Sequence, residues 1–344
     1  MDINHQHLKI CTINLFNYVA PPNAFYDFAN IYTKEEWQIK TQWLERSLVE
    51  IDADIIGFQE VFSIDVLRSS LEALGYPYFV TIDTPDIEQD YIYSNPVLAL
   101  ASRYPILETP VINLESPIAQ QQADFQFSRQ PIHAVINIPK LGALDVYVVH
   151  FKSQRPVEFE SLNLLSKEKN QSASQTADEA SLSTTERWLL ESQGKWLSTI
   201  QRGMEAHALH HHVINTKNHS KRPCVIMGDF NQSLQSNEFH CLTSKQLFRQ
   251  NETLEALSEF HLHNSRDLSM NEEDRKSNAT YYVGAQAKEL DYILLSNEFS
   301  SYSSHTHTMV NRYEVKDSHL TNPRYGVDHV SSDHGIVIVD ISII

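Results

Sequence analysis

Short apolar runs recur along the whole chain: LKICTINL at 8–15, DIIGFQ at 54–59, VLALAS at 97–102, IHAVINI at 132–138 and LDVYVVH at 144–150. Three more follow, CVIMGDF at 224–230, LDYILLS at 290–296 and IVIVDISI at 336–343. Their length, β-branched content and turn-type flanks predict strands. Between some of them the spacing turns helical. Thr33-x-x-Glu36 reads as a capping box ahead of a stripe of Trp37, Thr41, Leu44, Leu48 and Ile51. Ser63 is placed to cap a second helix with Ile64, Leu67, Leu71 and Leu74 on one face and Gly75 as its stop. A third helix is expected through Trp188, Trp196, Ile200 and Met204. Strands alternate with helices early and crowd together later, which indicates a layered α/β domain and not a bundle or a pure barrel. Residues 153–186, rich in Ser, Gln, Glu, Lys and Asn, interrupt this pattern. They read as a flexible insertion inside one domain spanning 8–344, with a linker between two domains as the alternative.

Composition removes several classes. A chain of 344 residues with 41% hydrophobic content has enough apolar material for a large core, so disordered and low-complexity folds are excluded. The formal charge of −17 repels polyanions except where local basic groups or bound cations correct the field. Cys11, Cys224 and Cys241 make no disulfide framework and read as small buried hydrophobes of a reducing compartment. The polar start MDINHQHLKICTINLF lacks a signal-type apolar region, and no run approaches the roughly 18 apolar residues of a membrane span. The expectation is a soluble, cytoplasmic chain, a monomer by default, with no protein partner evident.

The chemistry lies in position. Asn14 follows the first strand, Glu60 ends the second, His150 ends LDVYVVH, Asp229 and Asn231 end CVIMGDFN, Asp291 opens a strand, and Asp333-His334 precede the last one. Residues at strand ends are projected by a rigid sheet into a shared cleft. Taken singly, each has a plainer explanation: an Asp after a strand is usually a turn former, and a His at a strand end is usually a core imidazole. Six such sites in order, each adjoining a strand, point to a centre built from hard oxygen donors and imidazoles. Such donors suit Mg²⁺, Mn²⁺ or Ca²⁺ and phosphoester hydrolysis.

The ordered set GFQE (57–60), SRYPI (102–106), VVHFKS (148–153), GDFN (228–231), LDYILLS (290–296) and SSDH (331–334) resembles the motifs of the endonuclease/exonuclease/phosphatase superfamily. That superfamily includes DNase I, apurinic endonucleases, neutral sphingomyelinases and inositol polyphosphate 5-phosphatases. The resemblance covers residues 8 to 343 and implies a four-layer α/β/β/α sandwich, two mixed sheets flanked by helices, with the site at one edge. It implies a metal site of Asn14, Glu60 and Asp333, with Glu60 the principal ligand and Mg²⁺ or Mn²⁺ the expected ion. It further implies Asp229 as the residue that positions or deprotonates water and Asn231 as a holder of phosphate or of that water. His334 would contact the scissile phosphate, oriented by Asp291, and His150 would be an acid toward the leaving group. Two departures narrow the subfamily. Asn14-Leu15-Phe16 lacks the second acid of apurinic endonucleases, and His150 stands where they usually carry Tyr. Both point toward the DNase-like and sphingomyelinase-like branches. HFKSQRP at 150–156 resembles a group of bacterial members.

The reading is therefore a metal-dependent phosphoesterase, ranked first as a nuclease on DNA or RNA. The alternatives are a phosphodiesterase or phosphatase on a lipid headgroup or small metabolite, and a binding protein without chemistry. Arg103, Lys152 and Arg155 are the expected phosphate contacts. His207, His210 and His211 read as polar decoration of a helix, with a surface metal site as the alternative. Tyr281 and Tyr282 are expected to pack beneath their loop or to stack on a base.

Overall fold

The structure is a computed structural model and describes residues 6–112, 114, 116–121, 125–157, 183–247, 257–275, 279–300 and 308–344. Strands β1 (Gln6–Tyr18), β2 (Ile55–Val61), β3 (Tyr78–Val80) and β4 (Val97–Ser102) belong to one sheet. The second sheet takes up β5 (Ile106–Glu108), β6 (Ile132–Ile138), β7 (Gly142–His150), β8 (Cys224–Asp229), β9 (Leu262–Asn264) and β10 (Asp291–Ser296). The chain then returns to the first sheet through β11 (Thr308–Lys316) and β12 (Ile336–Ile343). The strand orders are β11-β12-β1-β2-β4-β3 and β9-β10-β8-β7-β6-β5. Both sheets are mixed: β1 runs parallel to β2 and β7 parallel to β8, while the other pairings are antiparallel.

Side-chain alternation sorts the residues into layers. On β1, Leu8 and Ile10 turn inward and join Ile132, Ala134, Ile136, Val146 and Met227 of the facing sheet. Cys11, Ile13 and Leu15 turn outward onto Trp43, Leu44, Leu48 and Leu67 of the helices α1 (Lys34–Ile51) and α2 (Ile64–Ala73). The outer face of the second sheet, with Tyr147, Val149 and Ile226, packs on Ala206, Leu209 and Val213 of α3 (Thr184–Ser220). These strands thus have buried partners on both faces, as the period of two requires. The expected four-layer sandwich is the observed one.

Local signals hold unevenly. Thr33 and Glu36 make the expected capping box, with Thr33 Oγ1 accepting from Glu36 N at 3.1 Å and Glu36 Oε2 accepting from Thr33 N at 2.8 Å. Ser63 does not cap α2; its Oγ accepts instead from Ala20 N at 2.7 Å and ties down the loop after β1. The apolar stripe expected on α3 is corrected. Trp188 and Trp196 are 68% and 64% exposed, and the buried face carries Ser198, Arg202 and Glu205. The reason is that this face packs on irregular backbone near 128 and 152–157, whose polar groups need partners more than they need apolar cover. The helix also begins earlier than expected, at Thr184, behind a Ser183/Glu186 capping box. Residues 184–186 of the expected insertion are therefore helical, 153–157 pack on α3, and 158–182 lie outside the described residues. Among the described residues no helix is long and apolar enough to cross a membrane.

Candidate active site

The carboxylate-bearing strand ends converge at one edge of the sandwich. Ladder register places His150 opposite Asp229, and Asp229 opposite Asp291. Asn14 and Glu60 arrive from the first sheet. Gly228 makes the approach possible: its φ is +144°, and a Cβ there would collide with the Val149 carbonyl oxygen. Phe16, Asn17, Glu60 and Asn231 all have positive φ between 49° and 61°, so left-handed backbone gathers around the cleft.

Asp229 is the hub. Its Oδ1 accepts from Asn231 N at 2.7 Å, and its Oδ2 accepts from Asn231 Nδ2 at 3.1 Å and Asn14 Nδ2 at 3.3 Å. His150 Nε2 lies 3.3 Å from the same Oδ2. Burial, followed by the charges of Asp291 and Glu60, pushes the Asp229 carboxyl up to about 7, despite the opposing His334 and Asn231.

The two imidazoles differ. His334 Nδ1 donates to Asp291 Oδ2 at 2.8 Å, which fixes the ring and leaves Nε2 3.9 Å from Asp333 and 4.0 Å from Asp229. Burial opposes its charge, but Asp291, Asp229 and Asp333 together outweigh burial and hold its pKa well above the ordinary value. The three surrounding carboxylates thus favour the charged form of the His334 ring. His150 is the reverse: burial, reinforced by Arg129, His334 and Lys152, drives its pKa well below the ordinary value. Its Nε2 faces Asp229, and its Nδ1 is buried without a hydrogen-bond partner.

Other expected residues are placed as follows. Asn14 turns its nitrogen toward Glu60 Oε1 (3.4 Å) and Asp229, because its oxygen accepts from Phe16 N at 2.9 Å. In this arrangement its amide nitrogen bridges the two carboxylates, while its oxygen keeps a second lone pair. Asn231 commits its amide nitrogen to Asp229 and to the Phe151 carbonyl (3.0 Å). Lys152, Arg155, Asp333 and Glu60 line the same cleft of about 600 Å³. Arg103 does not reach it. It sits beyond the other end of β2, where Ile55 pairs with Ser102, and its guanidinium is held by Asp52 at 2.5 Å over the Tyr76 ring. A motif residue directly after the last residue of β4 was drawn to the carboxylate of Asp52. His207, His210 and His211 form no ligand set among the described residues; His207 Nδ1 instead lies 3.2 Å from Ser116 Oγ. Tyr281 backs the His334 ring at 5.0 Å, whereas Tyr282 donates to Asp317 at 2.6 Å.

Several cleft or near-cleft residues were missed, Phe16, Tyr26, Arg129 and Lys40 among them. Phe16 and Arg129 line the cleft without any motif to mark them. Lys40 had a signal, since position 40 falls on the buried stripe of α1 between Trp37 and Leu44. Its ammonium donates to the carbonyls of Ser331 (2.7 Å) and Val330 (3.2 Å) and sits 5.4 and 5.6 Å from the Tyr32 and Phe16 ring centres. Burial brings its pKa down to about 7, against the pull of Glu60 and Asp333. His319 Nε2 donates to the His334 carbonyl at 2.8 Å and Ser332 Oγ to the Asn14 carbonyl at 2.7 Å, so the SSDH segment is held from three sides.

The donor set fits a divalent cation. Glu60, Asp229, Asp291 and Asp333 bring four carboxylates against the His334 ring, and one Asp291 oxygen is buried with no partner. Burial and the facing Glu60 raise the Asp333 carboxyl, as expected where charge of one sign is in excess. Asp229, Asp291 and His334 form the tightest acid–imidazole group, with atoms within 4.8 Å, but a protonated His334 is a donor and not a ligand. Glu60 and Asp333, which line the open cleft, are the other carboxylates that could hold a cation there.

The profile of the Endonuclease/Exonuclease/phosphatase family matches residues 28–334, and the chain belongs to that family, whose members are hydrolases of phosphoester bonds. The fold is similar to that of a family protein from Bacteroides thetaiotaomicron, with TM-score 0.57 and 15% identity over 99% of both chains. It is similar to ANGEL2, described as a 2′,3′-cyclic phosphatase, with TM-score 0.56 and 12% identity over 99% of this chain and 96% of that one. An AP endonuclease from Archaeoglobus fulgidus gives TM-score 0.53 and 12% identity over 96% and 98%. No curated protein matches the chain by sequence.

Proposed function

We propose that residues 8–344 act as one catalytic unit, a divalent-metal-dependent phosphodiesterase whose substrate is a nucleic acid. The observation that supports it is the geometry at one cleft edge: a buried Asp229 carboxyl, aimed by Asn231 and Asn14 and raised by burial to about 7, beside a His334 ring clamped by Asp291 at 2.8 Å. A base poised near the working pH takes a proton from water most effectively. Asp229 receives that proton while Asn231, Asn14 and His150 keep its carboxylate aimed. His334 Nε2, the free ring nitrogen, donates to a non-bridging phosphate oxygen as negative charge builds on it. Asp291 keeps that ring from turning and favours its charged form. Glu60 and Asp333 would hold the cation, for which Mg²⁺ or Mn²⁺ suits the oxygen donors. The bound ion supplies charge neutralisation at the phosphate.

Nucleic acid is ranked above a lipid headgroup because the cleft pairs cations with exposed aromatic rings, Phe16 and Tyr26, which suit a base. The test is a matched panel of single- and double-stranded DNA, RNA, sphingomyelin and inositol phosphates, with His334→Ala as the blank. Cleavage of an oligonucleotide by wild type and not by the blank is expected. Turnover confined to sphingomyelin or inositol phosphates would replace the nuclease reading.

A further inference from the structure

The polar face that α3 buries has a task. Glu205, a buried carboxylate, accepts from Ser128 N at 2.7 Å and from Lys152 N at 2.6 Å, and so joins two loops distant in sequence. Arg202, also buried and paired with Glu238 at 2.7 Å, donates to the carbonyls of Lys152 (2.9 Å) and Ser153 (3.3 Å). Ser198 Oγ donates to the Arg155 carbonyl at 2.6 Å. These bonds fix the backbone beneath Arg129, Lys152 and Arg155, which line one wall of the cleft beside Tyr26.

None of those three cations has a carboxylate within ion-pair distance among the described residues, in a chain of net charge −17 where Arg202, Arg222, Arg266 and Arg324 are all paired. They also repel one another. After burial, Arg129 is the largest influence lowering the Lys152 pKa, and Arg155 acts in the same direction. Like charges held together on a rigid scaffold, with Glu205 as the nearest counter-charge but turned to backbone N–H groups and no carboxylate among the described residues within ion-pair distance of their side chains, form a site for an anion.

Resting on the phosphodiesterase reading, we infer that Arg129, Lys152 and Arg155 form a second phosphate subsite, so that the preferred substrate carries a further phosphate group beside the scissile one. Two guanidinium forks and an ammonium match the donor needs of a phosphate dianion. Tyr26 lines the same cleft and is influenced both by the two arginines and by the carboxylate of Glu60.

Binding of thymidine 3′,5′-bisphosphate and of thymidine 5′-monophosphate tests this, measured by calorimetry in saturating Mg²⁺ on wild type and on Arg129→Ala/Arg155→Ala. Wild type should bind the bisphosphate at least about tenfold more tightly. The double variant should bring that ratio to within about threefold of one. A ratio near one in wild type, or an unchanged ratio in the variant, overturns the subsite. Removing two uncompensated cations should leave the melting temperature unchanged or higher. A fall of more than about 4 °C would mark the arginines as structural and overturn it too. Because binding is read without turnover, an enzyme inert on oligonucleotides would end the nuclease reading while this comparison still decides the subsite.

Discussion

Asp229 and Asp291 stand directly opposite each other across the antiparallel ladder of β8 and β10. Like charges in that relationship are destabilising. The pair is held by His334, whose Nδ1 bonds Asp291 and whose Nε2 faces Asp229. Asp229 and His334 accordingly have raised pKa values, Asp229 to about 7 and His334 well above its ordinary range. A group raised on folding binds more protons in the native state, so its contribution is present below its unfolded pKa and is lost as pH rises through the folded one. In metal-free protein in EDTA, Asp229 should therefore contribute stability that is lost from about pH 4 to about pH 7, and His334 stability that is lost above its ordinary range, while Lys40, whose pKa burial lowers to about 7, contributes in the opposite sense above that pH. Asp291→Asn, which removes the chief source of the His334 shift, should lose less over the same range. Because Lys40 acts alike in both proteins, the decisive quantity is the difference between wild type and Asp291→Asn, and a difference that stays constant with pH would contradict the assigned direction of the His334 shift.

Chelation should abolish turnover, and Mg²⁺ or Mn²⁺ should restore it. Glu60→Gln should raise the metal concentration for half-maximal activity by at least about tenfold, the scale on which metal-site substitutions act. Its melting temperature in EDTA should equal or exceed that of wild type, since one of the crowded carboxylates is gone. Full activity after exhaustive chelation would remove the cation from the mechanism.

Lys40→Met tests whether the SSDH segment is positioned from behind. The variant leaves the Val330 and Ser331 carbonyls without their donor and also removes a buried charge, so the effects on stability oppose each other. The melting temperature should move by only a few degrees. A small displacement of Asp333 and His334 should still lower kcat by about 10-fold to 100-fold, the scale of misplacement by an ångström. Wild-type kcat would show that the segment holds its geometry without Lys40.

The sequence made the layers legible because strand alternation and the Thr33–Glu36 box are local rules that tertiary packing reinforced. The strand-end residues were legible through their order, since a rigid sheet determines where its ends point. What it did not disclose depended on contacts distant along the chain. Glu205 is a charged residue on a helix until Ser128 and Lys152 are folded against it. Arg129 follows no motif, and Arg103 lies within one yet is claimed by Asp52. The exposed Trp188 and Trp196 show the same limit, because helical spacing cannot tell which face will meet polar backbone.

The different placements of Arg103 and of the Lys152–Arg155 pair separate by salt. Affinity drawn from phosphate contacts falls linearly in log–log terms with salt, by somewhat under one unit per phosphate. The cleft presents few cations, so KM for an oligonucleotide should follow a slope equivalent to roughly two or three phosphates. Arg103→Ala should leave that slope unchanged, since its guanidinium is bound to Asp52 away from the cleft. Lys152→Ala/Arg155→Ala should reduce it by about one to two phosphates and raise KM more than it lowers kcat, because these groups hold substrate and transition state alike. The measurement is KM against salt for wild type and both variants with metal saturating throughout. A shallower slope in Arg103→Ala, or an unaltered one in the double variant, would mean that substrate crosses a different face of the protein.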